Sequence, residues 1–142
     1  MRPSLLTVLV AGLVVWLSPG HLRADGGQAP DPKDITEVMI ERKSGPAPPA
    51  KDNVHIRRED QPAAFHRLAT VLVRRGFFDL RDRYEPRPKP SDADSIVITV
   101  VYGKERKVVE NYAGAGDDQV WEFEMLIRGV AADLNRFKRA KP

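Results

Sequence analysis

Ser95-Ile96-Val97-Ile98-Thr99-Val100-Val101-Tyr102-Gly103-Lys104-Glu105-Arg106-Lys107-Val108-Val109-Glu110-Asn111-Tyr112 reads as a β-hairpin, and the rest of the fold is organised around it. Its first arm is almost wholly β-branched, the composition that packs best on a pleated surface. Gly103-Lys104 fits a two-residue turn with glycine first, which sets the register. Ile98 then faces Val109 on one side of the pair, and Thr99 faces Val108 on the other. Apolar residues on both faces place the hairpin in the middle of a sheet, and Gly114-Ala115-Gly116 ends it.

Upstream, Val38 and Ile40 alternate with Glu37 and Glu41, the period-two mark of a strand with one buried face, although Met39 blurs the pattern. Ser44-Gly45-Pro46-Ala47-Pro48-Pro49 is irregular, because its prolines lack the N–H a ladder needs. Asn53 to Arg57 resumes the alternation as an antiparallel partner. Pro62 is suited to the first turn of a helix on whose face Phe65, Leu68, Leu72 and Arg75 align, widened by Ala69 and Val73. Gly76 is the candidate for its C-terminal cap, and Phe77, Phe78 and Leu80 plug the end of the core. The proline-rich stretch from Tyr84 to Ser95 reads as an exposed loop. Asp117 or Asp118 caps a last helix with Val120, Phe123, Ile127, Val130, Ala131, Leu134 and Phe137 on one stripe. Lys138, Arg139 and Lys141 favour the dipole at its far end. The predicted fold is α+β: one domain over residues 35–139, in the order β-β-α-β-β-α. About four antiparallel strands carry two helices on one face.

The 142 residues begin with Met1-Arg2, an uncharged run from Leu5 to Leu17, and the helix-breaking Ser18-Pro19-Gly20. Residues 1–24 read as a signal peptide cleaved after Ala24 or Gly20. The run is shorter than the ~20 residues a membrane-crossing helix needs, so no stable membrane insertion is expected after cleavage. Export places the chain in the periplasm or outside the cell. Residues 25–34, rich in Gly and Pro, form a flexible lead-in. Residues 1–24 hold two arginines, Arg2 and Arg23, and no acid, so the net charge of +3 falls to +1 when all of them are removed. The apolar share falls with it, from 42% to about 38%. Near neutrality and export together argue against nucleic acid as a partner.

Phe65-x-x-Leu68-x-x-x-Leu72-x-x-x-Gly76-Phe77-Phe78-Asp79-Leu80-x-Asp82-x-Tyr84 resembles a bacterial family of exported domains of unknown function, found behind signal peptides or lipoprotein signals. The likeness spans roughly residues 35–135, through Asp94, Ile98-Thr99-Val100, Lys107 to Tyr112 and Trp121 to Ile127. Many members carry a Gly-x-Cys-Pro-x-Tyr segment in the first hairpin. Residues 44–49 have neither that cysteine nor that tyrosine, so nothing the family places there carries over. The resemblance implies an export-associated α+β domain and no known catalytic residues.

The residue types narrow the chemistry. With no cysteine, thiol nucleophiles, disulfides and thiolate metal sites are excluded. Ser44, Ser91 and Ser95 lie in or beside loops without a nucleophile elbow, and His55 and His66 read as partly exposed. Asp79, Asp82, Glu85, Asp92 and Asp94 are dense around one loop, yet they lack the spacing of a calcium-binding loop. Pairing of Asp79 and Asp82 with Arg81, Arg83 and Arg87 is the favoured reading. Asp79, Asp82 and Tyr84 are the candidate ligand-contacting or loop-fixing residues: Asp82 and Tyr84 as a polar contact at the helix end, or Asp82 as a fastener of the loop backbone. The six basic residues between Arg74 and Lys89 read as a solvated face. Trp121 and Tyr112 either flank a small groove or, as favoured, pack. No catalytic residue, metal or cofactor is assigned. The expected function is non-enzymatic binding of a protein or envelope component, or a structural role. The alternatives are a small acid-dependent hydrolase or lyase working from the Asp79–Asp94 loop, and an inhibitor or immunity-type module.

Overall fold

The computed structural model describes residues 28–43 and 53–140. The expected signal peptide at 1–24, the proline-rich segment at 44–49 and the side chain of Phe137 lie outside the described residues. A 3-10 turn, Pro32–Asp34, leads into β1 (Ile35–Lys43) and β2 (Val54–Arg57). Then come α1 (Pro62–Arg74), a 3-10 turn at Phe77–Asp79, and β3 (Arg83–Tyr84). The chain closes with β4 (Ser95–Tyr102), β5 (Glu105–Tyr112) and α2 (Asp118–Ala140). The sheet order is β2-β1-β4-β5-β3.

The hairpin sits where its composition places it. Ile98 is paired with Val109 and Thr99 with Val108. Gly103 takes φ +54°, a conformation that costs glycine little because it has no Cβ. β4 is the middle strand, flanked by β1 and β5. On β1, Val38 pairs Ile56 on one side and Val100 on the other, while Met39 pairs His55 and Thr99. Met39 therefore belongs to the face of Glu37 and Glu41, which explains how it interrupted an otherwise clean alternation.

Both helices cover one face. Phe65, Leu68, Ala69 and Leu72 of α1 and Val120, Phe123, Ile127 and Leu134 of α2 join Val38, Ile40, Ile56, Ile98, Val100 and Val109 in one buried cluster. Val130 and Ala131 pack at its margin. Arg75, aligned with the α1 stripe by spacing, is instead the exposed C-cap residue, its N–H bonded to Val71 O at 2.9 Å. Gly76 follows at φ +79° and turns the chain so that Phe77 enters the core. Phe77 packs edge to face on Phe78 and Phe123, with centroids 5.6 and 5.2 Å apart, and Phe78 does the same on Tyr102. The expected plug is thus an aromatic cluster joining the α1 end, β4 and α2.

The strand count needs correction. The sheet has five strands, and the fifth, β3, runs parallel to β5 at its edge, with Arg83 opposite Glu110 and Tyr84 opposite Asn111. This short strand lies at the entrance to the segment read as loop. Glu110 N donates to Asp82 O at 2.8 Å, and Lys107 Nζ donates to Leu80 O at 2.5 Å, so β5 draws the chain alongside it. The tail of the lead-in is also shaped. Asp31 caps the first 3-10 turn, Gly103 N donates to Asp34 O at 3.1 Å, and the Arg58 guanidinium bonds the Lys33 and Ile35 carbonyls.

Candidate functional site

The end of α1, the turn after it and the start of α2 enclose an open cleft of about 460 Å³. Arg74, Arg75, Arg81, Asp79, Tyr84, Asp117 and Gln119 line it. The α2 side is fixed by short polar contacts: Asp117 Oδ1 accepts from Val120 N at 3.2 Å, the capping role expected for Asp117 or Asp118. Gln119 Nε2 donates to Arg75 O at 2.8 Å, and Arg75 reaches Glu122 at 3.4 Å. The half-buried strand residue Tyr84 accepts from Arg81 N at 3.3 Å through its hydroxyl, and the Arg81 guanidinium lies 5.7 Å from its ring centroid.

Of the three candidate residues, Asp79 and Tyr84 meet in this cleft and Asp82 does not line it. Asp82 Oδ1 lies 2.6 Å from Lys107 Nζ, with its own side chain 79% exposed. Its carboxylate meets β5 through this ion pair, whereas the expected fastening was from side chain to backbone.

Two other acids around the loop are also ion-paired. Asp94 pairs with Arg42 at 2.5 Å, and Glu85 with Arg83 and Lys89, each at 3.2 Å. Arg83 turns to Glu85 and Glu110. Asp94, Asp82 and Glu85 thus meet cations on β1, β5 and β3 respectively, Glu85 also meeting Lys89. Among the described residues no three acids or histidines gather as an ion would require. His55 is bonded to Glu37 at 2.8 Å on the uncovered sheet face.

Trp121 and Tyr112 do not share a groove. Tyr112 pairs with Ser95, on the sheet face opposite Ile98 and Val109, where its hydroxyl donates to Pro90 O and Lys89 lies 4.9 Å from its ring centroid. Trp121 does not pack as favoured either, being 60% exposed on α2, with Met125 one turn later 48% exposed. These are the large apolar side chains left exposed among the described residues. The available signal was helical phase. Trp121 is one residue past Val120, hence about 100° around the helix from the buried stripe, and Met125 repeats the displacement four residues on. Gly129 and Ala132 continue the strip; both are exposed, and a Cβ added at Gly129 would meet nothing within 4 Å. No family model, curated protein or solved structure matches this chain.

Proposed function

We propose that the chain is an exported, non-enzymatic module of the cell envelope or extracellular space that works by protein–protein contact through the outward face of α2. The observation that carries this reading is the exposure of Trp121 and Met125 on successive turns of a helix whose opposite side buries Val120, Phe123, Ile127 and Leu134. Isolated exposed apolar residues are ordinary on protein surfaces. Two together, running into Gly129 and Ala132, make a continuous strip whose dehydration favours association. Tryptophan and methionine are also enriched at protein interfaces. Export is supported by the Met1-Arg2 start and the apolar run to Leu17. The hydrolase alternative wants acids converging on one substrate atom, whereas Asp82 is held at Lys107 and Asp94 at Arg42.

The test is a comparison of the exported protein with its Trp121→Ser/Met125→Ser variant. Loss of association in the variant, with the thermal midpoint retained, is the expected result. Equal association by both proteins would overturn the reading.

A further inference from the structure

We propose that the occupant of this face is a second copy of the chain, its α2 laid antiparallel across the first about a two-fold axis at Met125; this rests on the reading of the Trp121–Met125 strip given above. The strip is complementary to itself. Trp121, Met125, Gly129 and Ala132 follow one another at steps of four, four and three, so they lie along one side of the helix. Trp121 and Gly129 are each four residues from Met125, about 6 Å on either side at 1.5 Å per residue. Reversing the helix about Met125 therefore sets the indole of each copy, leaning toward its own N-terminus, over the Gly129–Ala132 turn of the other. That glycine has open space where its Cβ would be, and a mid-helix glycine is otherwise unfavourable.

Charge agrees with the same register. Asp118, exposed in the first turn, falls opposite Ala132 of the partner copy. Arg136, exposed four residues beyond Ala132 and 3.6 Å from Asp133 of its own helix, leans back toward its helix N-terminus and so also toward that Asp118, whose charge adds to that of Asp133. Each pairing occurs twice by symmetry, as an isologous interface requires. One helix face on each side is a small contact, in the class below about 1,200 Å² that forms weak, transient dimers.

The experiment uses the protein exported through its own leader in a Trp16→Phe background, which leaves Trp121 as the sole tryptophan whether or not the leader is removed. Sedimentation and tryptophan emission are followed together over a roughly thousandfold dilution from millimolar to micromolar, bracketing weak interfaces. The expected result is a mass falling from two chains to one, with the emission moving to the red in step as the indole is exposed. Gly129→Lys fills the facing slot with a better helix former, so it should raise the thermal midpoint while abolishing both changes. Arg136→Glu should weaken the dimer several-fold. A single-chain mass at every concentration, with emission that still shifts on adding envelope extract, overturns the second-copy proposal and leaves the Trp121 reading standing. Dimerisation by Gly129→Lys equal to the parent overturns the antiparallel register. Dimerisation with no change in emission overturns both the proposal and the role of Trp121.

Discussion

The junction after α1 and the outward face of α2 both carry large apolar side chains, in opposite circumstances. At the junction Phe77 has no exposed surface and touches two aromatic rings edge to face, one of them Phe123 from α2. Two turns of the same α2 present Trp121 and Met125 to solvent. The difference lies in phase: Phe123 and Trp121 are two residues apart and point some 160° apart around the helix. Apolar content alone therefore does not identify the core of this chain, and helical phase decides which large apolar side chains enter it.

The sharpest way to break the comparison is to truncate both aromatics. Phe77→Ala removes a fully buried ring that joins α1 to α2, and should cost ~3–5 kcal/mol in denaturant unfolding. Trp121→Ala should change monomer stability by no more than about 0.5 kcal/mol. Comparable losses at the two sites would mean that Trp121 is a core residue and the contrast is false.

A smaller contrast separates Asp82 from Lys107. Lys107 is largely buried along its length, at 16% exposure, and donates to both Leu80 O and Asp82 Oδ1, whereas Asp82 is mostly in water. Lys107→Ala leaves a carbonyl without its charged donor and should cost ~1.5–3 kcal/mol. Asp82→Ala removes only the exposed half of an ion pair, worth under about 1 kcal/mol. Chemical unfolding of the two variants checks the order. Equal costs would mean that the Asp82 carboxylate, and not the Leu80 carbonyl, fastens β3 to the sheet.

Two glycines sharpen the same division between packed and open regions. Gly76 sits at φ +79°, where a Cβ would also approach Asp79 Oδ2 to 3.2 Å, so Gly76→Ala should cost ~1–2 kcal/mol. Gly129 is helical with open space around it, and Gly129→Ala should add about 0.5–1 kcal/mol of monomer stability. Thermal unfolding at concentrations too low for association separates the signs.

These regions also differ in how far the sequence discloses them. The hairpin register, the apolar part of the α1 stripe and a cap at Asp117 or Asp118 follow from side-chain type and period, because local sterics and burial of one face decide them. The two-residue strand at Arg83–Tyr84 has no period to read. It forms because Lys107 and Glu110, 27 and 28 residues further along, supply donors to Leu80 and Asp82. The ion-pair partner of Asp82 is equally hidden: Lys107 reaches it from β5, whereas nearness in sequence points to Arg81, Arg83 and Arg87. Of the candidate site, the sequence pairs Asp82 with Tyr84 at the helix end, whereas Asp79 and Tyr84 line the cleft together, and Trp121 is legible only by giving phase more weight than hydrophobicity.

The smallest predicted effect lies at the turn before β1, where no apolar burial contributes. The Asp31 carboxyl is held below its ordinary 3.8, first by the Lys33 backbone N–H at 3.0 Å and then by the Lys33 side chain. The Lys33 ammonium is held above its ordinary 10.5, chiefly by hydrogen bonding to Asp31. A lowered carboxyl favours the folded turn above the ordinary carboxylate range, and that contribution disappears as pH falls through the lowered value. A raised ammonium contributes below 10.5 and is lost as pH rises through the raised value. The turn should therefore be best held between these limits and loosen at both extremes. Carboxyl NMR of Asp31 should show a midpoint below 3.8. Lys33→Met keeps the backbone donor, so the midpoint should rise and still remain below 3.8. Full return to the ordinary value would show that the ammonium, and not the cap, sets the shift.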